Sequence, residues 1–216
     1  MPNNCCHQFI VKKTDLEQKK RKVCKKCGFI DYKNPKVVAG SLVVRNKKFL
    51  LCKRAIEPSY GKWTFPSGYL DASETPEEGA IREAKEEVNI KIKLNKLFAI
   101  FTVREKNLIQ FVFLASHINK NFRPGIETLE ARYFDYDEIP WKSLAFPSVA
   151  YVIKKYAKPP KKTPIFHTFS KDTTERSTMP SVPALGNAHP SCVCTSETLA
   201  VISQPTIRAS PCDCSR

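Results

Sequence analysis

Between residues 34 and 157 apolar runs alternate with polar breaks at intervals that fit an α/β domain. KVVAGSLVV, from Lys36, and FLLCKRA, from Phe49, are rich in β-branched and apolar residues and flank Arg45-Asn46-Lys47-Lys48, which predicts two strands joined by a turn. KIKLNKLFAIFTV and LIQFVFLAS repeat the arrangement around Arg104-Glu105-Lys106-Asn107. ARYFDYDEI predicts a further edge strand, and SVAYVIKKY a closing helix begun after Pro147. Between the strand pairs the period changes. Ala80, Ile81, Ala84 and Val88 share an apolar stripe at helical spacing, with Glu83, Glu86 and Glu87 clustered on a separate face. Thr75 serves as N-cap, Pro76 suits the first helical position, Glu78 completes a capping box, and Asn89 can take the left-handed conformation that ends a helix.

Outside this domain the character of the chain differs. Residues 1–33 are basic and cysteine-rich, whereas 158–216 turn to Pro, Ser and Thr with few large apolar residues and are expected to be disordered. A length of 216 residues accommodates one ordinary domain with appendages. No apolar run approaches the ~20 residues that span a bilayer, and the opening MPNNCCHQFI lacks the apolar stretch of a secretory signal, so no membrane partner is expected. Nine cysteines, an odd number irregularly spaced, argue for thiols or metal ligands in a reducing compartment, read as cytoplasmic without excluding an organelle. The formal net charge is +15, and much of it lies in KKTDLEQKKRKVCKKC, residues 12–27. That run reads as a solvated basic surface, and a positive field also favours a small polyphosphate. Nucleic acid is not the favoured partner, because aromatic residues that could stack on bases are not interleaved with the lysines along the chain.

Glu83, Glu86 and Glu87 crowd barely more than one helical turn, where each like-charged pair repels by roughly 0.2–0.5 kcal/mol. Something must relieve that repulsion, usually a positive charge. Arg82, Lys85 or solvent would do so, and so would a hard divalent cation. The preceding PSGYLDASE supplies Gly68 for an unusual backbone turn and Glu74 near the helix start.

Gly68, Glu74 and the run Arg82-Glu83-Ala84-Lys85-Glu86-Glu87-Val88-Asn89-Ile90 resemble the Nudix box, the signature of hydrolases of nucleoside diphosphates linked to another moiety. Asn89 replaces the family's glycine and can still adopt positive φ. LCKRAIEPSYGKWTFPSGYLDASET and DEIPWKSLAF are similar to the zinc-ribbon-containing Nudix group that includes plant FAD pyrophosphatases and bacterial relatives. Ser67 stands where that group commonly has Gly or Ala, and Ser73 where it commonly has Gly. The resemblance implies an α/β/α sandwich and a pyrophosphohydrolase that depends on Mg²⁺ or Mn²⁺. It implies Glu83, Glu87 and then Glu86 as metal ligands, with the backbone carbonyl of Ser67 as a further one. Arg82 and Glu74 are expected to pair and hold loop and helix in register beside Gly68. Glu130 is the first candidate for general base, with Glu127 or Glu83 as alternatives. Arg54, Tyr60 and Trp63 are candidate substrate contacts, the two aromatics being core residues otherwise.

Cys24-Lys25-Lys26-Cys27-Gly28 has the C-x-x-C-G form of a zinc knuckle. Cys5, Cys6 and His7 lie about where the family's ribbon has its first pair. Any two of them would complete a structural Zn²⁺ site, and Cys5 with His7 is the preferred choice because adjacent residues point apart; the alternative is a degraded ribbon without metal. Cys52 reads as a small core thiol. Two further pairs, Cys192 with Cys194 and Cys212 with Cys214, lack surrounding fold signals.

The favoured function is cleavage of a small dinucleotide, FAD to FMN and AMP. An NADH or ADP-ribose pyrophosphatase is the alternative within the same chemistry, NADH being weakened because the SQPWPFPxS motif of the NADH-cleaving relatives survives only as Phe146-Pro147-Ser148. A basic nucleic-acid-binding protein acting on nucleotide-capped RNA is the third reading. A homodimer is compatible with each.

Overall fold

The computed structural model describes residues 5–14, 17–118, 121–158 and 164–169. They belong to two units that part between Asn34 and Pro35.

In the amino-terminal unit β1 (Phe9–Thr14) pairs antiparallel with β2 (Glu17–Cys24), which pairs in turn with β3 (Ile30–Asp31). Ile10, Val23 and Ile30 are partners across the three strands and so share one face. Lysine is depleted in strands generally, which is why the basic run gave no strand signal.

The larger unit begins with β4 (Lys36–Arg45) and β5 (Lys48–Arg54). Asn46 and Lys47 between them take φ of 49° and 64°, the geometry whose twist suits a two-residue hairpin. Short strands β6 (Trp63–Thr64) and β7 (Ser67–Tyr69) lead to helix α1 (Pro76–Val88). A second hairpin, β8 (Ile92–Val103) and β9 (Leu108–His117), turns through Asn107 at φ 48°. Strand β10 (Thr128–Phe134), helix α2 (Pro147–Ala157) and strand β11 (Ile165–Phe169) follow. The sheet runs β10-β5-β4-β9-β8-β11, with β6 on β5 and β7 on β4.

Successive strand residues point to opposite faces. Leu42, Leu51 and Val112 pack with Val149, Val152 and Ile153 of α2 on one face. Val43, Leu50, Cys52 and Ala115 pack with Ala84 and Val88 of α1 on the other. The result is the α/β/α sandwich. Ala80 and Ala84 are small, so α1 lies close to the sheet, and burying Val88 beside them contributes ~1.5–3 kcal/mol.

Three features depart from the sequence pattern. Ile81 is 43% exposed, while Glu87 is buried at 6%. The two flank the Ala80-Ala84-Val88 stripe on opposite sides, so spacing alone does not choose between them; β7 lies on the Glu87 side and decides it. Strand β10 ends at Phe134, after which Asp135 and Glu138 cap a 3-10 turn that replaces the remainder of the expected strand. Finally, β11 falls within the segment expected to be disordered. It pairs parallel with residues 99–103 of β8, stacks His167 on Tyr151 at 4.5 Å and places Phe169 5.3 Å from Phe101. The IFHTF alternation was too short to stand out in a Pro-rich surround. Cys192, Cys194, Cys212 and Cys214 lie outside the described residues. Among the described residues no helix is long and apolar enough to cross a membrane.

Helix α1 starts on a complete capping box: the Glu78 N–H donates to Thr75 Oγ1 at 3.2 Å and the Thr75 N–H to Glu78 Oε2 at 2.9 Å. Thr75→Ala is expected to lower stability by about 1 kcal/mol in urea unfolding. An unchanged midpoint would show that this cap contributes nothing.

Candidate active site

Helix α1 and strand β7 meet along a seam of carboxylates. Gly68 in β7 leaves the space occupied by the Glu83 carboxylate, since a Cβ there would overlap it. Arg82 gathers the neighbouring acids. Its Nε and Nη2 donate to the two oxygens of Glu74 at 2.8 and 2.9 Å, a bidentate fork, and Nη2 also reaches the Tyr69 carbonyl at 2.9 Å. Nη1 donates to Glu83 Oε1 at 2.8 Å and to Glu86 Oε2 at 2.9 Å. The guanidinium holds the Glu74 carboxyl down at about 2.

Glu87 is held differently. Its Oε2 accepts the Ser67 N–H and the Cys52 thiol, each at 3.3 Å. Burial, with the charge of Glu83 adding to it, pushes the Glu87 carboxyl up to about 7. Glu83 is also raised by burial, against the pull of Arg82. Burial keeps the Cys52 thiol well above its ordinary range and therefore protonated.

The seam opens on a cavity of about 1820 Å³. Glu83, Glu86, Glu87, Ser67 and Gly68 line it, Lys36 and Arg54 add positive charge, and Phe146 and Phe169 supply aromatic surface. Arg54 is fixed by an Nε–H donated to the Pro58 carbonyl at 2.8 Å, with its guanidinium 5.4 Å from the Phe146 ring centroid. For Ser67 the resemblance implies a carbonyl ligand; the N–H of that residue is the group engaged with Glu87. Hard oxygen donors crowded where water is partly excluded form a set that could hold a divalent cation.

Three expected contacts fall elsewhere. Trp63 is 6% exposed and belongs to the core, edge-on to Phe134 at 4.8 Å, because β6 turns it toward the α2 face. Tyr60 is 57% exposed and outside the cavity lining. Glu130 points away on β10, 3.7 Å from Arg132, and does not line the cavity, whereas Glu127 does. Glu127 arrives because the preceding loop folds onto the end of α1: the Gly125 N–H donates to the Glu87 carbonyl at 2.7 Å and the Arg123 N–H to the Val88 carbonyl at 3.1 Å. A Cβ at Gly125 would collide with the Glu86 carbonyl. Gly125 was the available signal for this approach. Phe169 had none, lying in a stretch read as lacking structure.

In the amino-terminal unit, ligand atoms of Cys5, His7, Cys24 and Cys27 lie within 4.8 Å of one another. Cys5 Sγ is 3.9 Å from Cys24 Sγ, and Cys27 Sγ is 3.5 Å from His7 Nδ1. A tetrahedron with Zn–S bonds of ~2.3 Å has edges of about 3.8 Å, so the donors fit that ion. Cys6 is exposed and outside the cluster.

Residues 34–156 match the NUDIX domain family. An ADP-ribose pyrophosphatase of Methanocaldococcus jannaschii is 30% identical over 141 residues, spanning 63% of this chain and 76% of the archaeal one. The crystal structure of a NUDIX hydrolase from Nitrosomonas europaea superposes with a TM-score of 0.72 at 34% identity, covering 77% of this chain and 97% of the other.

The buried Glu87 carboxyl sets a pH dependence. Its folded value of about 7 exceeds the ordinary 4.5, so between these values the native state carries a proton that the unfolded state has released. Stability of metal-free protein is therefore fullest below the lower value and declines as pH rises through the upper one, by about 3 kcal/mol. Urea midpoints measured in chelator from about pH 5 to about pH 8 are expected to fall less for Glu87→Gln than for the parent. Parallel curves would remove the assignment.

Proposed function

The chain belongs to the Nudix hydrolase family, and from that premise we propose that its carboxylate-lined cavity hydrolyses a nucleoside diphosphate linked to a second moiety, with ADP-ribose the first candidate. The observation that carries this reading is the convergence of Glu83, Glu86 and Glu87 on one cavity that also presents Lys36 and Arg54. Arg82 serves Glu83 and Glu86, while the desolvated Glu87 is held by two neutral donors, so a hard cation is the charge this set lacks. Glu83, Glu86 and Glu87 would hold Mg²⁺ or Mn²⁺, with the Ser67 carbonyl as an additional oxygen. When bound, such an ion neutralises phosphate oxygens and lowers the pKa of an attached water.

The chain's own residues do the rest. The Arg82–Glu74 fork ties the loop to α1 and keeps the Glu83 carboxylate against Gly68. Lys36 and Arg54 offset phosphate charge. Glu127, whose negative charge reaches Glu83, takes the proton of the attacking water, and Glu83 is the second candidate for that step. Phe146 and Phe169 give a planar base an apolar wall.

Similarity to the archaeal ADP-ribose pyrophosphatase supports the substrate. FAD is the second reading, favoured by the resemblance of LCKRAIEPSYGKWTFPSGYLDASET to FAD-cleaving relatives. We also assign a structural Zn²⁺ to Cys5, His7, Cys24 and Cys27, on the spacing of their ligand atoms.

Incubation with Mg²⁺ and, separately, ADP-ribose, FAD, NADH and nucleotide-capped RNA is expected to yield AMP and ribose 5-phosphate from the first. Cleavage of FAD with ADP-ribose left intact would select the second reading. Glu127→Gln should lower kcat about 10²-fold or more, and Glu130→Gln should leave it within roughly twofold; the reverse order would restore Glu130 as base. Elemental analysis should find one zinc per chain, lost in Cys24→Ala, and a zinc-free parent would dispose of the structural site.

A further inference from the structure

Cys52 is 1% exposed, on the face of β5 that α1 covers. Its thiol has one proton and two acceptors in reach, Glu87 Oε2 at 3.3 Å and the Thr64 carbonyl at 3.4 Å. Hydrogen bonds to an ionised carboxylate are roughly twice as strong as those between neutral groups, so once Glu87 has released its proton its oxygen draws the thiol hydrogen in preference to the carbonyl. The Ser67 N–H donates to that same oxygen from a different strand. Donors from β5 and β7 therefore converge on one atom of a long, rotatable side chain at the end of α1.

We propose that Cys52 is a positioning residue for Glu87: with the Ser67 N–H it pins Oε2, orients the carboxylate and leaves Oε1 to the cavity. This rests on the reading above in which Glu87 helps to hold the cation. A side chain present only to fill volume would be replaceable by any apolar group of similar size. Here an apolar group removes one of the two donors from a buried oxygen, and the remaining backbone bond lets the carboxylate swing. Fixing the carboxylate before the ion arrives removes an ordering step from metal binding.

Three substitutions in the full chain test this. Cys52→Ala removes donor and volume, Cys52→Val approximately restores volume alone, and Cys52→Ser restores a donor. Mn²⁺ affinity is read by paramagnetic resonance without nucleotide, alongside thermal midpoints and the Mg²⁺ dependence of turnover. Ala and Val are expected to weaken Mn²⁺ binding about 10-fold and to raise the Mg²⁺ needed for half-maximal rate, with nucleotide KM at saturating Mg²⁺ unchanged. Ser should bind within roughly threefold of the parent. If Val restores affinity and Ser does not, or if Ala binds as the parent does, the thiol only fills space and the inference fails while the function stands. If the parent takes up no Mn²⁺, both fall.

Discussion

Glu83 and Glu87 leave water together at the seam between α1 and β7, one turn apart on the same helix. Desolvation and mutual repulsion both oppose that arrangement, and much of the surrounding chain acts to support it. Arg82 brings a guanidinium to Glu83 and Glu86 while its other edge is locked on Glu74. Ser67 and Cys52 supply donors to Glu87. Gly68 yields the space for one carboxylate, and Gly125 lets a loop close over the helix end that carries the other.

The sandwich makes this possible through small residues. Ala80 and Ala84 let α1 settle on β4 and β9, and the same closeness draws Glu87 down among buried residues. A larger residue at either position would lift the helix and return Glu87 toward solvent. Packing and the charge of the site are thus set by the same contacts, and the alternation of β5 places Cys52 on the α1 face while Leu51 faces α2. In the amino-terminal unit Ile10, Val23 and Ile30 share a small apolar face, and ligand atoms of three cysteines and one histidine lie within 4.8 Å of one another.

Much of this architecture was legible in the chain itself. Runs of β-branched and apolar residues around polar turns marked β4, β5, β8 and β9, and α1 carries its own start and stop in Thr75, Glu78 and Asn89, because hairpin turns, caps and apolar runs are local features of the chain. The glutamates and Arg82 were legible for the same reason, lying within one helix and the loop before it. Gly68 and Glu74 were readable through their spacing from that helix.

What only the tertiary structure decided are relations between segments distant in sequence. Whether Ile81 or Glu87 faced the interior depended on the side from which β7 approaches. Glu127 reached the cavity in place of Glu130 because a loop folded onto helix carbonyls, and Trp63 turned inward because β6 paired with β5. Cys52 passed for a core thiol until Glu87 was brought against it, and Phe169 had no role until β11 found the edge of β8. Periodicity along one chain reports which way a residue points relative to its own element. It carries no record of what another element, closing from far along the chain, will set against it.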